Sequence, residues 1–298
     1  MENIFGSTHF NTIATWLKER FGCRIMKLSL DGGFTCPNRD GSKGTGGCLF
    51  CSEDGSGHYA STIPEQIQLL SGKWPEGQYI AYFQSHTNTY AEPAVLRRLF
   101  DEALAWPGVV GLAVATRPDC LPPEILDLLD EYNKKTFLWV ELGLQTIHDQ
   151  TAERMNRCYP TAQFNQAMAD LKARNILTVV HLILGLPEET KEMMMESVQH
   201  VANLHPFGVK LHLLHVLKNT GLAELYPEGI HTFTQQEYIE FIVDILERMP
   251  QDITIHRITG DGPAEDLISP LWSVKKRDIL NGVQKEFKRR DTWQGKLL

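Results

Sequence analysis

Six short apolar runs, each followed by a segment with helical periodicity, are the feature that most limits the fold of this 298-residue chain. They cover residues 24–30, 79–83, 109–114, 137–142, 177–184 and 209–214. Their β-branched and aromatic residues suit strands that are buried on both faces of a parallel sheet. Six βα units of about 25 to 40 residues predict an α/β fold, a (β/α)6 partial TIM barrel. A doubly wound open sheet stays as the alternative, because periodicity does not show whether a sheet curls.

Proline marks the start of two predicted helices, at Glu92-Pro93 and at Pro122-Pro123. Proline is favoured in the first turn of a helix, where its missing N–H costs nothing. No linker or low-complexity stretch divides the chain. We therefore predict a single domain, with a core barrel over about residues 24–220 and a C-terminal extension over about 221–298.

The composition is that of an ordinary globular enzyme, with 42% apolar and 22% charged residues. No apolar run approaches the roughly 20 residues of a membrane span, and the first residues do not resemble a signal peptide. We therefore expect a cytoplasmic protein with no membrane partner.

Three of the six cysteines lie in one glycine-rich loop after the first predicted strand, in the spacing C-x11-C-x2-C: Cys36, Cys48 and Cys51. Thiolates suit zinc or iron–sulfur clusters. The glycines at 41, 44, 46 and 47 allow positive φ angles and close backbone approach. Three ligands without a fourth nearby are typical of a centre with one open position. A structural zinc site completed by His58 or Cys23 stays as an alternative, and a disulfide is a weaker one, since cytosolic thiols stay reduced.

At these residues the sequence resembles the radical SAM superfamily. The segment Cys48-Leu49-Phe50-Cys51 matches the aromatic residue before the last ligand, and the long gap is similar to that of the Elongator-like branch. The resemblance implies that the three cysteines hold a [4Fe-4S] cluster whose fourth iron binds S-adenosylmethionine. It also implies reductive cleavage of that cofactor to a 5′-deoxyadenosyl radical, with electrons from a donor such as flavodoxin or ferredoxin.

Polar motifs follow the second and fourth strands, at the edge where a barrel places its reactive groups. The run Gln84-Ser85-His86-Thr87-Asn88 follows the second strand, and its density of hydrogen-bonding side chains favours ligand contact over a plain turn. The resemblance places this run at the methionyl amino group. The fourth strand ends in a segment similar to the branch's E-L-G-V-Q-S, which implies that Glu141 and Gln145 contact the cofactor, the glutamine at its ribose.

Two further motifs resemble the same branch, each with a departure. Arg154, Asn156 and Arg157, placed on a helix, match its N-R-G-H except that Cys158 and Tyr159 replace Gly-His. An arginine fork suits a carboxylate, so Arg154 is expected to bind the methionyl carboxylate. Residues 185–190 resemble G-L-P-G-E-T with a glutamate at 188, and the backbone of Gly185 and Leu186 is expected under the adenine. Phe50 completes the predicted cofactor contacts.

The remaining histidines and cysteines show no metal-binding spacing. Core or barrel-lining imidazoles are expected at His181, His212, His215 and His256 rather than a second metal site. Cys23, Cys120 and Cys158 are too dispersed to predict an auxiliary cluster.

The C-terminal segments 252–262, 271–277 and 288–295, together with residues 30–39, look like the bacterial YtqA/YhcC-type radical SAM proteins. This resemblance implies action on the wobble uridine in the anticodon loop of tRNA. The implied reaction trims a 5-carboxymethylaminomethyl group to 5-aminomethyl, ahead of a methylation by another enzyme. A radical enzyme acting on a small metabolite and a non-catalytic metal-stabilised binding protein stay as alternatives.

Charge is distributed unevenly along the chain. The net charge is -8, but residues 275–298 carry eight Lys/Arg against three acids, which makes this segment +5 and the remainder -13. Such asymmetry suggests an anionic partner. We predict that Lys288, Arg289 and Arg290 contact RNA phosphates and that Trp293 stacks on an extruded base. A solvated basic helix, anchored in the core by Trp293, is the alternative.

Overall fold

The structure is a computed structural model that describes residues 2–53, 55, 57, 59–72, 77–260 and 262–298. Parallel strands arranged in chain order form its main sheet, and two short strands form a separate antiparallel pair. The main sheet consists of β1 (Ile25–Leu30), β2 (Gln78–Phe83), β3 (Val109–Thr116), β4 (Phe137–Gln145), β5 (Leu177–Leu184), β6 (Gly208–Leu213) and, after the short β7 (Val216–Leu217), β8 (Thr254–Arg257). β7 pairs with β9 (Leu267–Ser269).

Helices precede and connect the strands. They are α1 (Ile13–Phe21), α2 (Ile63–Ser71), α3 (Pro93–Leu104), α4 (Pro123–Lys135), α5 (Asp149–Arg154), α6 (Thr161–Ala173), α7 (Lys191–Leu204), α8 (Gly221–Leu225), α9 (Gln235–Leu246) and α10 (Lys276–Arg290). α3 and α4 begin at a proline, as predicted. Among the described helices, none has both the length and the apolar character that crossing a bilayer requires.

All six predicted strands are present, and the α/β partial barrel is confirmed. The sheet has a seventh parallel strand, β8, which comes from the predicted C-terminal extension and pairs with β6. Sequence periodicity did not reveal β8 because it is only four residues long and contains Thr254, His256 and Arg257.

Contacts across the inner face show that the sheet curls rather than lying open and flat. β2 and β6 are separated by three strands, so a flat sheet would place them about 19 Å apart. Lys210 Nζ on β6 nevertheless donates a hydrogen bond to Tyr82 Oη on β2 at 2.9 Å. The two side chains meet across the interior of a half-barrel, which excludes the doubly wound alternative.

The two ends of the barrel differ in character. At the amino-terminal edge of the sheet, α1 inserts Leu17 against Ile80, Trp139 and Val179 and closes the barrel with apolar side chains. At the carboxyl-terminal edge the inner face carries polar residues, and the long β1–α2 loop with the cysteines lies there. The carboxyl-terminal edge of the barrel is therefore the place where a functional site can lie.

Candidate functional site

Backbone hydrogen bonds fold the cysteine loop into a compact turn structure. Lys43 N donates to Pro37 O at 2.7 Å, and Gly47 N donates to Asn38 O at 2.8 Å. The Asn156 side chain, from the loop after α5, donates to the carbonyls of Thr45 and Gly47. The loop is thus held both by itself and by the element that follows β4.

Glycines serve this loop in two different ways. Gly41, Gly46 and Gly47 adopt φ angles of 90°, 78° and 75°, in agreement with the predicted need for positive φ. Gly44 is an exception, because its φ is not positive and its role is close packing. A Cβ at Gly44 would lie 3.0 Å from the Cys158 sulfur, so a side chain there would push the loop away from its neighbour.

The loop brings the three motif cysteines to one cavity of about 130 Å³ at the carboxyl-terminal edge of the sheet: Cys36, Cys48 and Cys51. Asn38 Nδ2 lies 3.3 Å from the Cys48 sulfur, and Thr87 Oγ1 lies 3.0 Å from the Cys36 sulfur. All six cysteines of the chain are free thiols. The arrangement fits a cluster bound by three thiolates, and the ligand role itself stays a prediction.

Neighbouring groups perturb the acidity of these thiols. A hydrogen bond from Cys51 lowers the pKa of Cys48 to about 7, and the nearby Arg117 and Arg39 act in the same direction. The same hydrogen bond and burial raise the pKa of Cys51 well above its ordinary value. Because metal ligation requires thiolates, the two cations favour the form of Cys48 that binds a metal.

A closed zinc site finds little support in this geometry. Cys23 precedes β1 while Cys36 follows it, and a six-residue strand separates its two ends by about 20 Å. His58 lies outside the described residues. In the part of the chain that the structure describes, no three His, Cys, Asp or Glu side chains converge on a single ion. A cluster does not need such convergence, since each thiolate binds a different iron.

The predicted polar run after β2 divides into two groups. Gln84, His86 and Thr87 line the cysteine cavity. Ser85 and Asn88 are buried, and Asn88 Nδ2 donates to the Ala115 carbonyl at 2.9 Å, which ties this loop to β3. Only the first group is positioned to touch a molecule in the cavity.

Gln145 and Phe50 lie at the centre of the cleft. Both line the cysteine cavity and a second, adjoining cavity described below. Gln145 has a φ of 62°, and its side chain accepts a hydrogen bond from Tyr159 Oη at 3.2 Å. Its position is consistent with the predicted contact to a ribose.

Glu141 lines the same cavity, but protein groups already occupy both of its oxygens. Oε1 accepts from Trp139 Nε1 at 3.0 Å, and Oε2 accepts from Tyr82 Oη at 2.7 Å, from Lys210 Nζ and from His181 Nε2 at 2.8 Å. Burial alone would raise the pKa of Glu141, yet Lys210 and His181 hold it well below its usual range. Burial lowers the pKa of Lys210 to about 7. Glu141 therefore organises the inner face rather than offering a free carboxylate.

The structure does not bring Arg154, Gly185 and Leu186 to the cysteine cavity. Arg154 is the last residue of α5 and forms a surface ion pair with Glu188. Gly185 and Leu186 line a separate cavity of about 560 Å³ beside the start of α7. Asn156 and Arg157 lie in the loop after α5, so the prediction that they belong to the helix is wrong.

Arg39 and Arg117, which the sequence did not single out, are the arginines of the cysteine cavity. Arg117 makes a forked pair with Asp119, with both N···O distances at 2.9 Å. Asp119 in turn pairs with Lys43 from the cysteine loop at 2.9 Å. Arg117 precedes a proline, and Arg39 lies inside the cysteine loop. Neither sequence context indicated that the residue would line the cavity.

A second cavity of about 220 Å³ adjoins the first and is lined by His181 of β5, His212 of β6 and His215, which lies between β6 and β7. They fit the barrel-lining role expected from the sequence. His256 instead packs in the core against Trp139 and Phe207. A period-two pattern, in which Lys210 and His212 alternate with apolar neighbours on β6, is the sequence signal that could have identified the inner face.

The four predicted RNA contacts lie far from this cleft. Gln294 donates to the Ile253 carbonyl just before β8, which places Trp293 and the end of α10 at the amino-terminal edge of the sheet. Arg289 pairs with Glu286, and Arg290 pairs with Glu286 and with Asp244 of α9. Lys288 is exposed. The Lys296 ammonium covers the Trp293 ring at 4.5 Å. The structure thus places Trp293 at the edge of the sheet opposite the cysteine cavity, and its stacking on a base stays a prediction.

Family models match most of the chain. A model described as the Radical SAM superfamily matches residues 39–201, and one described as the Radical_SAM C-terminal domain matches residues 206–289. YtqA of Bacillus subtilis (strain 168), described as uncharacterized, is 44% identical over 296 residues, covering 96% of this chain and 92% of YtqA.

Two more distant proteins are similar to part of the chain or share its fold. The tRNA uridine(34) acetyltransferase of Methanocaldococcus jannaschii is 30% identical over 175 residues, which is 57% of this chain and 31% of that protein. The structure of archaeal Methanocaldococcus infernus Elp3, lacking its N-terminus, superposes with a TM-score of 0.69 at 18% identity, covering 91% of this chain and 64% of that one. At this identity the superposition shows a shared fold alone.

Proposed function

The chain belongs to the radical SAM superfamily, and from that premise we propose that it modifies the wobble uridine of tRNA. The proposed reaction converts a 5-carboxymethylaminomethyl group to 5-aminomethyl. The observation that carries the proposal is the cleft at the carboxyl-terminal edge of the sheet. There, three free cysteines line one cavity together with polar side chains such as Gln84, His86 and Gln145. The tRNA substrate is supported by the resemblance to YtqA/YhcC-type proteins and by the similarity to a tRNA uridine(34) acetyltransferase.

Superfamily members use a [4Fe-4S] cluster and S-adenosylmethionine. We assign the cluster to Cys36, Cys48 and Cys51, whose sulfurs face one cavity with Asn38 and Thr87 as hydrogen-bonding neighbours. When bound, the cluster and S-adenosylmethionine supply a 5′-deoxyadenosyl radical after one-electron reduction. An electron donor such as flavodoxin or ferredoxin is part of the proposal.

The residues of this chain have defined tasks around that cofactor pair. We assign Gln84, His86, Thr87, Phe50 and Gln145 to direct contact with S-adenosylmethionine, because they line the cysteine cavity. Their amide, imidazole and hydroxyl groups suit an ammonium and a ribose.

The cations of the cavity complete the cofactor assignment. Arg117 is better placed than Arg154 for the methionyl carboxylate because it lines the cavity and Arg154 does not; Asp119 engages the Nε and Nη2 of Arg117. Glu141 orients His181 and Lys210. We keep Arg154, Gly185 and Leu186 as outer contacts that require the loop after β5 to move inward.

Nucleoside analysis of tRNA tests the proposed function. We expect tRNA from a strain that lacks the gene to accumulate 5-carboxymethylaminomethyluridine and to lose the 5-aminomethyl nucleoside and its methylated product. Mass spectrometry of digested tRNA gives this result directly. Expression of the parent protein should restore the profile, whereas Cys48→Ala should not.

A control and a second measurement separate the alternatives. Cys23→Ala changes a cysteine at the opposite edge of the barrel and should restore the profile as the parent does. An unchanged tRNA profile in the deletion strain, combined with S-adenosylmethionine cleavage by the purified protein, would point to a small-metabolite substrate. Purification without reconstitutable iron would instead support a metal-stabilised binding protein.

A further inference from the structure

Protein contacts hold the Arg117 guanidinium on one edge and on one face. Its Nε and Nη2 donate to the two oxygens of Asp119, and the Tyr159 ring centroid lies 4.9 Å from its Cζ. Its Nη1 has no partner among the described residues, and it is not one of their polar atoms that are both unpartnered and shielded from solvent. The side chain is 10% exposed and lines the cysteine cavity. Nη1 is therefore the group of Arg117 that is left for a molecule in that cavity.

A single 3₁₀ turn, Pro118–Cys120, places Asp119 beside this arginine. The turn begins directly after β3, and Cys120 N donates to the Arg117 carbonyl at 3.1 Å. Thr89 Oγ1, from the loop after β2, donates to the Cys120 carbonyl at 2.5 Å. None of the Asp119 side chain is exposed to solvent. The turn and the neighbouring loop thus fix a buried carboxylate two residues after the arginine.

Lys43 connects the same carboxylate to the cysteine loop. Its Nζ lies 2.9 Å from Asp119 Oδ2, and its backbone N donates to the Pro37 carbonyl within the loop at 2.7 Å. Burial alone would raise the pKa of Asp119, yet Arg117 and Lys43 hold it below its usual value. Asp119 is therefore a charged bridge between two cations, one at the end of β3 and one in the cysteine loop.

We propose that Asp119 is a positioning residue for S-adenosylmethionine, which holds Arg117 so that Nη1 meets the methionyl carboxylate. The assignment rests on the proposed contact between Arg117 and that carboxylate. A long side chain that is fixed before the ligand arrives loses less conformational freedom on binding. Lys43 adds a link to the loop that carries the three motif cysteines, so the bridge keeps the carboxylate contact and the thiols in one geometry.

The test measures the binding of two ligands to the reconstituted full chain by anaerobic equilibrium dialysis. One ligand is S-adenosylmethionine, and the other is its decarboxylated form, which lacks the group that Arg117 contacts. We expect Asp119→Asn to weaken binding of S-adenosylmethionine about tenfold, the effect of one lost charge-assisted contact. Binding of the decarboxylated ligand should stay at the parental level.

Two variants of Lys43 test the link to the cysteine loop. Lys43→Met should weaken binding of S-adenosylmethionine about threefold, since a partly exposed ion pair contributes less than a buried one. Lys43→Arg keeps the positive charge and should bind both ligands like the parent. Equal affinity of Lys43→Met and the parent for S-adenosylmethionine would remove Lys43 from the bridge.

The controls separate the arginine contact from general damage. Arg117→Gln should lose at least as much affinity for S-adenosylmethionine as Asp119→Asn does. Glu131→Gln is the matched variant, because Glu131 makes the same forked pair with Arg97 between α3 and α4, away from the cavity. It should leave both affinities unchanged. All variants should keep the parental iron content, which shows that the cysteine loop is intact.

Each other outcome decides against a specific claim. Tighter binding of S-adenosylmethionine by Asp119→Asn would show that the aspartate acts through its charge, and an equal loss for both ligands would show a general disturbance of the cavity. Either result overturns the positioning role, as does a loss of iron. If Arg117→Gln weakens binding and Asp119→Asn does not, the positioning role alone fails; if neither does, the Arg117 contact fails with it. The proposed action on tRNA is decided separately, by the nucleoside profile.

Discussion

Left-handed backbone conformations occur at His86 and Gln145, which line the cysteine cavity, and at Asn156 and Cys158, which contact the cysteine loop, with φ between 54° and 64°. Such conformations cost about 1–2 kcal/mol for a residue other than glycine, and they concentrate at functional sites. Cys158 occupies a glycine position of the Elongator-like motif, as does Glu188, whose φ is 66°. At both positions this chain therefore has a side chain at a positive φ, where the glycine of the motif would be unstrained.

Substitution at Glu188 should reveal this strain. We expect Glu188→Gly to unfold with a free energy about 1 kcal/mol higher than Glu188→Ala, because only glycine relaxes at positive φ. Both variants lose the exposed ion pair with Arg154, so their difference isolates the backbone. Urea denaturation measures it. Equal stability of the two variants would show that position 188 carries no strain.

Single cysteines should separate cluster ligands from other thiols. We expect Cys36→Ala, Cys48→Ala and Cys51→Ala each to lose the iron that the parent binds after anaerobic reconstitution, since a cluster held by two thiolates is not retained. Iron and sulfide analysis, with the absorbance of the cluster, provides the measurement. Cys23→Ala should retain parental iron content. Retention of a full cluster by any of the first three variants would remove that cysteine from the ligand set.

The sequence predicted those parts of the site whose residues lie close together in the chain. The C-x2-C pair and the Gln84–Thr87 run are short segments, and the structure brings both to one cavity. Arg117 and His181 were not predicted as site residues because their importance depends on contacts between distant strands. The ion pair of Arg154 with Glu188 could not be predicted for the same reason, since it joins residues 34 apart in the chain. The contact of Arg154 with the cofactor stays a prediction.

At the scale of secondary-structure elements, the Glu141 carboxylate connects four strands of the half-barrel. Tyr82 comes from β2, Trp139 from β4, His181 from β5 and Lys210 from β6. The six-run pattern predicted the strands because strands that are covered on both faces of a parallel sheet form nearly continuous apolar runs. It did not predict the polar inner face, because that face is defined only once the sheet curls.

Removing the cation of this network should destabilise the barrel. We expect Lys210→Met to lower the free energy of unfolding by about 3–5 kcal/mol, since it leaves a buried carboxylate without its main counter-charge. The double variant Lys210→Met/Glu141→Gln should recover much of the loss, because it removes both charges. Chemical denaturation of the three proteins supplies the comparison. A double variant as unstable as the single one would show that packing, not charge, dominates.

At the scale of the whole molecule, α10 carries positive charge to opposite edges of the barrel. Trp272 Nε1, just before the helix, donates to the Phe233 carbonyl, and Phe233 packs beside Gly185 at the carboxyl-terminal edge. The exposed Lys275, Lys276 and Arg277 therefore lie on the same edge as the cleft. The helix then extends about 22 Å to residues 288–290. Total charge alone could not show which end faces a substrate.

Under the proposed action on tRNA, the location of these charges selects Lys275, Lys276 and Arg277 as the cations that contact it. Exchange of Lys275, Lys276 and Arg277 for Gln should weaken tRNA binding and reduce the slope of log affinity against log salt by about two, since phosphate contacts release counterions. The corresponding exchange of Lys288, Arg289 and Arg290 is the matched control with equal charge loss. It should change the slope less, and it should lower the free energy of unfolding by about 1 kcal/mol, because Arg290 pairs with Asp244 and Glu286. Filter binding over a salt series distinguishes the two. A larger slope change for the 288–290 variant would place the RNA on the amino-terminal edge, away from the cleft.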